Sequence, residues 1–257
     1  MKSNVNICLL FLLLFTACNK EELSAEMAAY VVVNGYNGGE NGLEIAIDTT
    51  RYTAFTKIVQ SAGIIGFGTV YTYRQGQHEQ ILTVRDTATK QVVFSKTVDL
   101  SAAKVAINFT YVDGKTTEYT PPAVDTATNK LLFYVNFPED EAPFDMFLYR
   151  KDASTGEELR YYLAKDVKPG SWITVNYLAA PGFETTVALS NTSIYFTKAG
   201  TTDQWAFRDN ESVSRMSAGG LYLPVTGEKG LVQPYYLLPK VWQLEHARMF
   251  FYPGRAK

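Results

Sequence analysis

Cysteine and histidine are almost missing from this chain, each occurring twice, at Cys8 and Cys18 and at His78 and His246. Structural zinc sites draw four Cys or His ligands together, so a set this sparse, with its histidines in distant segments, leaves no metal site to expect. Both cysteines lie ahead of residue 20. A body without thiols can form no disulfide, and its stability then has to come from buried apolar surface. Charge of one sign is also lacking: 24 Lys and Arg stand against 26 Asp and Glu, a formal net charge of −2. Nucleic-acid binding needs a basic patch, so that partner is excluded. No His-Glu-x-x-His stretch, EF-hand loop, phosphate-cradling loop or Gly-x-Ser-x-Gly elbow occurs. The run Gly63-Ile64-Ile65-Gly66-Phe67-Gly68 lacks the Lys-Ser/Thr ending of a phosphate loop and reads as a flexible loop or bulge. No catalytic residue, cofactor or metal ligand is assigned. A hydrolase stays as the weaker alternative, because the separation of paired carboxylates is set in three dimensions.

What is present begins at the start of the chain. Lys2 precedes an apolar core from Val5 to Phe15, followed by Thr16, Ala17 and Cys18. That is the layout of a secretory signal peptide, and its apolar core is shorter than the ~18 residues a membrane-spanning helix requires. The segment Phe15-Thr16-Ala17-Cys18 resembles the lipobox of bacterial lipoproteins, with Phe15 in the place usually held by leucine. The resemblance implies cleavage before Cys18 and attachment of a diacylglycerol and a further acyl chain to it. Two or more chains give stable anchoring without crossing the bilayer. Loss of the segment 1–17, with its single charge at Lys2, takes the net charge from −2 to −3. Lys20-Glu21-Glu22 is similar to the short Lys-plus-acidic signal that exports Bacteroidota lipoproteins to the outside of the outer membrane.

The chain holds 17 Tyr and 15 Phe, all but Phe11 and Phe15 beyond the tether, with frequent Thr and Val, residues that suit a half-buried pleated surface. Short alternating or β-branched runs recur between turn residues. Strands are expected at 28–34, 43–48, 69–74, 78–85, 91–98 and 105–112. After Pro121-Pro122 the series continues at 130–137, 145–150, 158–163, 172–178, 185–189, 193–197, 220–225, 232–238 and 247–252. Residues 53–62 have helix-like apolar spacing at Phe55, Ile58, Val59 and Ala62. Three stretches share one turn chemistry: Asp86-Thr87-Ala88-Thr89-Lys90, Asp125-Thr126-Ala127-Thr128-Asn129 and Asp152-Ala153-Ser154-Thr155-Gly156. In each, Asp is expected to bond its own backbone two residues on, and the last residue to take a left-handed conformation. The proline pair marks a boundary. The chain thus divides into a signal peptide (1–17), a lipidated tether (18–27), an N-terminal domain (28–122) and a C-terminal domain (123–257). The expected fold is all-β, two consecutive antiparallel β-sandwiches of immunoglobulin-like or transthyretin-like kind. This layout resembles the tandem β-sandwich domains of Bacteroidota surface lipoproteins, a resemblance that carries a fold and no activity.

Aromatic side chains are the feature best suited to binding, since planar rings stack on sugars and anchor protein interfaces. Trp172, Trp205 and Trp242 concentrate with Tyr161, Tyr162, Tyr177, Tyr235 and Tyr236 in the second half. Ile173, Val175 and Tyr177 form the apolar face of their strand, which puts Trp172 on the polar face with Thr174 and Asn176 and makes it the candidate ligand contact. Glu40, Asn41, Glu44 and Asp48 offer oxygen atoms of the kind calcium takes, but their spacing matches no defined loop, and solvated turns are the simpler expectation. Glu139, Asp140 and Glu141 read as a polar loop. The resulting expectation is a non-catalytic, lipid-anchored envelope protein that binds a partner or joins a surface assembly, with a carbohydrate-binding role in glycan uptake as the alternative. Its partners are then the membrane, through Cys18, and a glycan or a protein. The variant Cys18→Ser is expected to lose acylation and leave the membrane fraction, while protease added to intact cells degrades the parent body. Full retention of the variant on membranes would overturn the tether.

Overall fold

The computed structural model describes residues 25–152 and 154–249; Cys18 and the end of the last expected strand, 250–252, lie outside them. The described chain is almost entirely β, in two sandwich-like units. The first comprises β1 (Glu26–Asn37), β2 (Leu43–Ile47), β3 (Thr50–Tyr52), β4 (Gly63–Arg74), β5 (Glu79–Asp86), β6 (Val92–Asp99), β7 (Lys104–Val112) and β8 (Lys115–Glu118). The second comprises β9 (Asn129–Val135), β10 (Phe144–Lys151), β11 (Glu158–Val167), β12 (Trp172–Tyr177), the helix α1 (Thr186–Ser190), β13 (Ser193–Lys198), β14 (Arg215–Ser217), β15 (Val232–Pro239) and β16 (Leu244–Arg248).

The sheet orders are β4-β1-β7-β8 and β3-β2-β5-β6 in the first unit, and β12-β9-β15-β16 and β11-β10-β13-β14 in the second. Adding eight to every label of the first unit gives the second, so the topology is repeated strand for strand. Pairing is antiparallel except between β1 and β7 and between β9 and β15, which are parallel. The turn echo does not follow this repeat. Asp86 closes the turn from β5 to β6, whereas Asp152 lies in the turn from β10 to β11, whose counterpart in the first unit joins β2 to β3. Turn chemistry, rather than duplication, accounts for the shared residues.

Alternation builds each core. Val31, Val33, Ile45, Ile65, Val84 and Phe109 meet between the sheets of the first unit. Leu131, Phe133, Phe144, Leu148, Phe196 and Tyr235 do so in the second. Gly35 is indispensable in β1: its φ is +149°, and a Cβ there would lie 1.6 Å from the Phe109 carbonyl oxygen. Four expectations fail locally. Residues 185–189 are not a strand; Thr185 caps α1 by accepting the Ala188 N–H at 3.0 Å. Residues 220–225 hold a 3-10 turn at Gly219–Leu221 and a left-handed Tyr222 (φ 53°). The helix expected at 53–62 shrinks to the 3-10 turn Phe55–Lys57. The glycine-rich run from Gly63 is no loop; it opens β4, which pairs with β1 along its whole length.

The two units meet through the outer face of the β12-β9-β15-β16 sheet. Tyr236, Leu238, Ala247 and Met249 pack with Tyr36 of β1, Val112 of β7, Tyr134 and Trp172. Beside them, Leu132 and Val232 pack with Tyr119 and Trp172. All eight residues of β15 are therefore buried, the two-sided burial typical of parallel-paired strands. Five rings run continuously across this junction. Tyr36 stacks on Tyr236 (centroids 5.1 Å apart) and Tyr236 on Tyr134 (5.3 Å). Tyr134 meets Trp172 at 5.4 Å, and Trp172 meets Tyr119 at 4.3 Å. Burial raises the phenol pKa of Tyr36, Tyr119 and Tyr236 above the usual value, so these three phenols stay neutral at any physiological pH. Removing a core aromatic costs about 3–5 kcal/mol. Tyr236→Ala is expected to lower stability by that order in urea unfolding and to expose residues 120–128 to protease. Parental stability in the variant would mean that the junction contributes nothing.

Candidate functional site

Three loops gather at the end of the first unit where β1 stops. The β1–β2 loop is shaped from within by Asn37, which is fully buried. Its Nδ2 donates to the carbonyls of Asn41 (2.9 Å) and Gln60 (3.0 Å), and its Oδ1 accepts the Gly39 N–H (3.1 Å). Gly38 N–H donates to the Tyr111 carbonyl at 2.7 Å. A Cβ on Gly39 would fall 2.7 Å from the Tyr111 ring, so the missing side chain lets backbone and phenol touch.

The β5–β6 turn is held by Asp86, as its chemistry predicts. Oδ1 accepts the N–H groups of Ala88 and Thr89, each at 2.8 Å, and Lys90 takes a left-handed φ of 62°. Asp152 does the same for Ser154 and Thr155, with Gly156 left-handed. Asp125 bonds Ala127, but Asn129 does not become left-handed; it is buried, donating to the carbonyls of Tyr177 and Glu228. Asp86 also ties its turn to the first loop, because Oδ2 accepts Asn41 Nδ2 at 3.0 Å and Thr87 N–H donates to the Gly42 carbonyl. The third loop is the β7–β8 turn, left-handed at Asp113 and Gly114.

Together they line an open cup of about 380 Å³, a size within the ~300–1,000 Å³ of small-molecule sites. Glu40, Gln91, Tyr111 and Asp113 border it, and none of these side chains has a hydrogen-bond or ion-pair partner among the described residues. Asp86, by contrast, is spent on the scaffold. Its bonds, the one from Thr89 N–H foremost, hold its pKa below the ordinary aspartate value.

The oxygen-rich residues noted in the sequence separate. Asn41 is committed to Asp86, and Glu44 is buried and accepts both Nε and Nη2 of Arg51, at 2.6 and 3.0 Å. Asp48 forms a left-handed turn. Among the described residues, no three Asp, Glu, His or Cys side chains are placed to hold a metal ion. His78 lies exposed in the turn before β5, and His246 belongs to the other unit. Glu139 of the acidic loop pairs with Arg208. Trp172 does project from the polar face of β12, but that face meets the first unit, and Tyr119 from there and Tyr134 of the neighbouring β9 occupy ring surface that a ligand would need. Trp242 is the solvent-exposed tryptophan, 84% accessible at the tip between β15 and β16. Gln91, Tyr111 and Asp113 were not singled out from the sequence. The turn and glycine-asparagine signals marked their loops without indicating that the loops converge. No helix among the described residues is long and apolar enough to cross a membrane.

No protein-family model and no curated protein matches the sequence. Solved structures align at low identity. A proposed cell adhesion protein from Bacteroides uniformis is 10% identical over 85% of this chain and 96% of its own, with a TM-score of 0.29. Another from Bacteroides ovatus is 10% identical over 91% and 99%, at 0.26. Family 41 carbohydrate-binding modules from streptococcal virulence factors are 7% identical over 84% and 96%, at 0.24. Likeness at this level carries no functional information, and the chain's own geometry has to supply it.

A carboxylate with a depressed folded pKa stabilises the protein above its unfolded pKa, and that contribution is lost as pH falls through the folded value. Asp86→Asn is accordingly expected to be less stable than the parent at pH 7, with the gap closing as the pH drops below the normal aspartate range. Urea midpoints across pH 7 to 2 check this, and a gap independent of pH would remove the charge of Asp86 from the account.

Proposed function

We propose that this chain is a non-catalytic binding protein of the bacterial envelope, held on the outer membrane by lipid at Cys18, displayed at the cell surface, and equipped to grip a hydroxyl-rich ligand such as a glycan in the cup at the end of β1. The observation that carries this reading is the uncommitted polar capacity of the cup. Its scaffold is closed by buried or paired groups, Asn37, Asp86 and Asn41, while Glu40, Gln91, Tyr111 and Asp113 keep their polar groups for something else. Carboxylates accept bonds from hydroxyl donors, the Gln91 amide both donates and accepts, and the Tyr111 ring offers an apolar surface beside them. Anionic ligands are disfavoured next to Glu40 and Asp113. The junction adjoins the cup, because Val112, the neighbour of Asp113, packs against the cluster of Tyr36, Tyr236 and Leu238.

A glycan array probed with the full chain tests the reading. A hydrogen bond to a charged group is worth about 1.5–3 kcal/mol, so Asp113→Ala is expected to weaken binding roughly tenfold or more. Gln91→Ala is expected to weaken it as well. Trp172→Ala serves as the junction control. No glycan binding, or binding indifferent to both cup variants, would overturn the assignment of the cup.

A further inference from the structure

Strand β4 is an exposed edge that lacks the usual protection. Free sheet edges are commonly blunted by brevity, charge, proline or a bulge. The other edges here follow that rule or are covered. β3 and β14 have three residues each. β8 carries Lys115 and Glu118, β6 carries Lys96, β11 carries Arg160 and Lys165, and β16 carries Glu245 and Arg248. β12 is short, and its Trp172 lies in the junction. β4 is 12 residues long, and from Gly63 to Tyr73 it holds neither charge nor proline.

Its free backbone groups can be identified. Tyr30 N–H donates to the Ala103 carbonyl on the β7 side, so even-numbered residues of β1 direct their N–H and C=O groups toward β7 and odd-numbered ones toward β4. Gly68 lies opposite Val32. The wide pairs of an antiparallel ladder exchange no bonds, so Gly68 and the other even residues of β4 point their polar groups outward. Lys57 Nζ donates to the Gly68 carbonyl at 2.7 Å, in agreement with this phase.

We infer that β4 is a self-association surface, pairing antiparallel with β4 of a second copy about a two-fold axis through Gly68. Such an axis brings each central residue close to its own copy, so any charge there would be repelled, and the centre of β4 has none. The side chains also complement one another in this register. Val70, 64% exposed, faces Gly66 of the second copy, where a Cβ would meet nothing within 4 Å. Ile64, 52% exposed, faces Thr72. The two four-stranded sheets become one of eight strands, and Gly68 N–H of each copy takes over the carbonyl that Lys57 holds in the monomer. Lys57 is thus a latch competing with association.

Opposed residues in such a pair have Cα atoms ~5.5 Å apart, within the range a disulfide bridges. In the full chain, Gly66→Cys with Val70→Cys is expected to yield a disulfide-linked dimer on oxidation, whereas the out-of-register Gly66→Cys with Thr72→Cys yields little. By light scattering of the full chain in detergent, Val70→Lys should weaken self-association roughly tenfold or more, since a lysine on an edge strand keeps its ammonium in water and opposes strand pairing. Lys57→Ala should strengthen it. A monomeric parent, equal cross-linking of both cysteine pairs, or a dimer indifferent to Val70→Lys would each overturn the inference.

Discussion

The outer face of the β12-β9-β15-β16 sheet carries Leu132, Tyr134, Trp172, Val232, Tyr236 and Leu238, and such a face is too apolar to be left in water. Covering it with Tyr36, Val112 and Tyr119 makes one body of two repeated units. Each ring pair adds about 0.5–1.5 kcal/mol beyond the area it buries, and four such pairs run in series from Tyr36 to Tyr119. The dependence extends to the cup. Tyr36 enters the junction, and the next residue, Asn37, turns the opposite way to organise the β1–β2 loop. Gly35, immediately before, has no Cβ to strike the Phe109 carbonyl, which lets β1 lie this close to it.

Much of the fold was legible because two-residue alternation is a local property. Ile45 and Ile47 facing in, or Ile173, Val175 and Tyr177 on one face of β12, follow from the sequence alone. Where the reading failed, alternating burial over a few residues decided too little about the backbone. Residues 220–225 bury Leu221 and Leu223, as a strand would, yet Gly219 and Gly220 permit a tight turn and Tyr222 accepts a left-handed φ. Residues 63–68 misled in the opposite sense. Of the glycines that suggested a loop, Gly68 is where Tyr30 lies across the strand, its hydroxyl 2.5 Å from where a Gly68 Cβ would be. The parallel pairs β1–β7 and β9–β15 join strands far apart in sequence, and no local pattern encodes them.

The site was legible in pieces. The bond from Ala88 N–H to Asp86 and the left-handed Lys90 could be read from the turn chemistry, and the glycine-asparagine loop was recognised as a loop. Calcium-type oxygen ligands at Glu40, Asn41, Glu44 and Asp48 were suggested by proximity along the chain, but β2 alternates its residues between two faces and carries Glu44 to Arg51. The cup forms instead from residues near 40, 90 and 112, which only the tertiary fold unites. Trp172 shows the same limit. Its place on the outward face was correct from alternation, and what lies outward of that face is another unit rather than solvent.

One strand links these features. β1 pairs with β4 along all 12 of its residues and with β7 from Tyr30 to Asn37. The tether proposed for residues 18–27 would lead into its first residues, the self-pairing edge proposed for β4 runs beside it, and the junction and cup begin where it ends. A ligand held at the cup of an anchored molecule would pull on the loops after Asn37 while the membrane pulls on the residues before Glu26. Where Tyr111 and Asp113 at the end of β7 hold the ligand, the load would pass from β7 to β1 across their parallel ladder, in shear. Shear of this kind must strain many bonds together, whereas peeling from an edge breaks them one at a time. A central first strand, locked on one side by a parallel partner, would therefore suit the anchored, ligand-holding role proposed above.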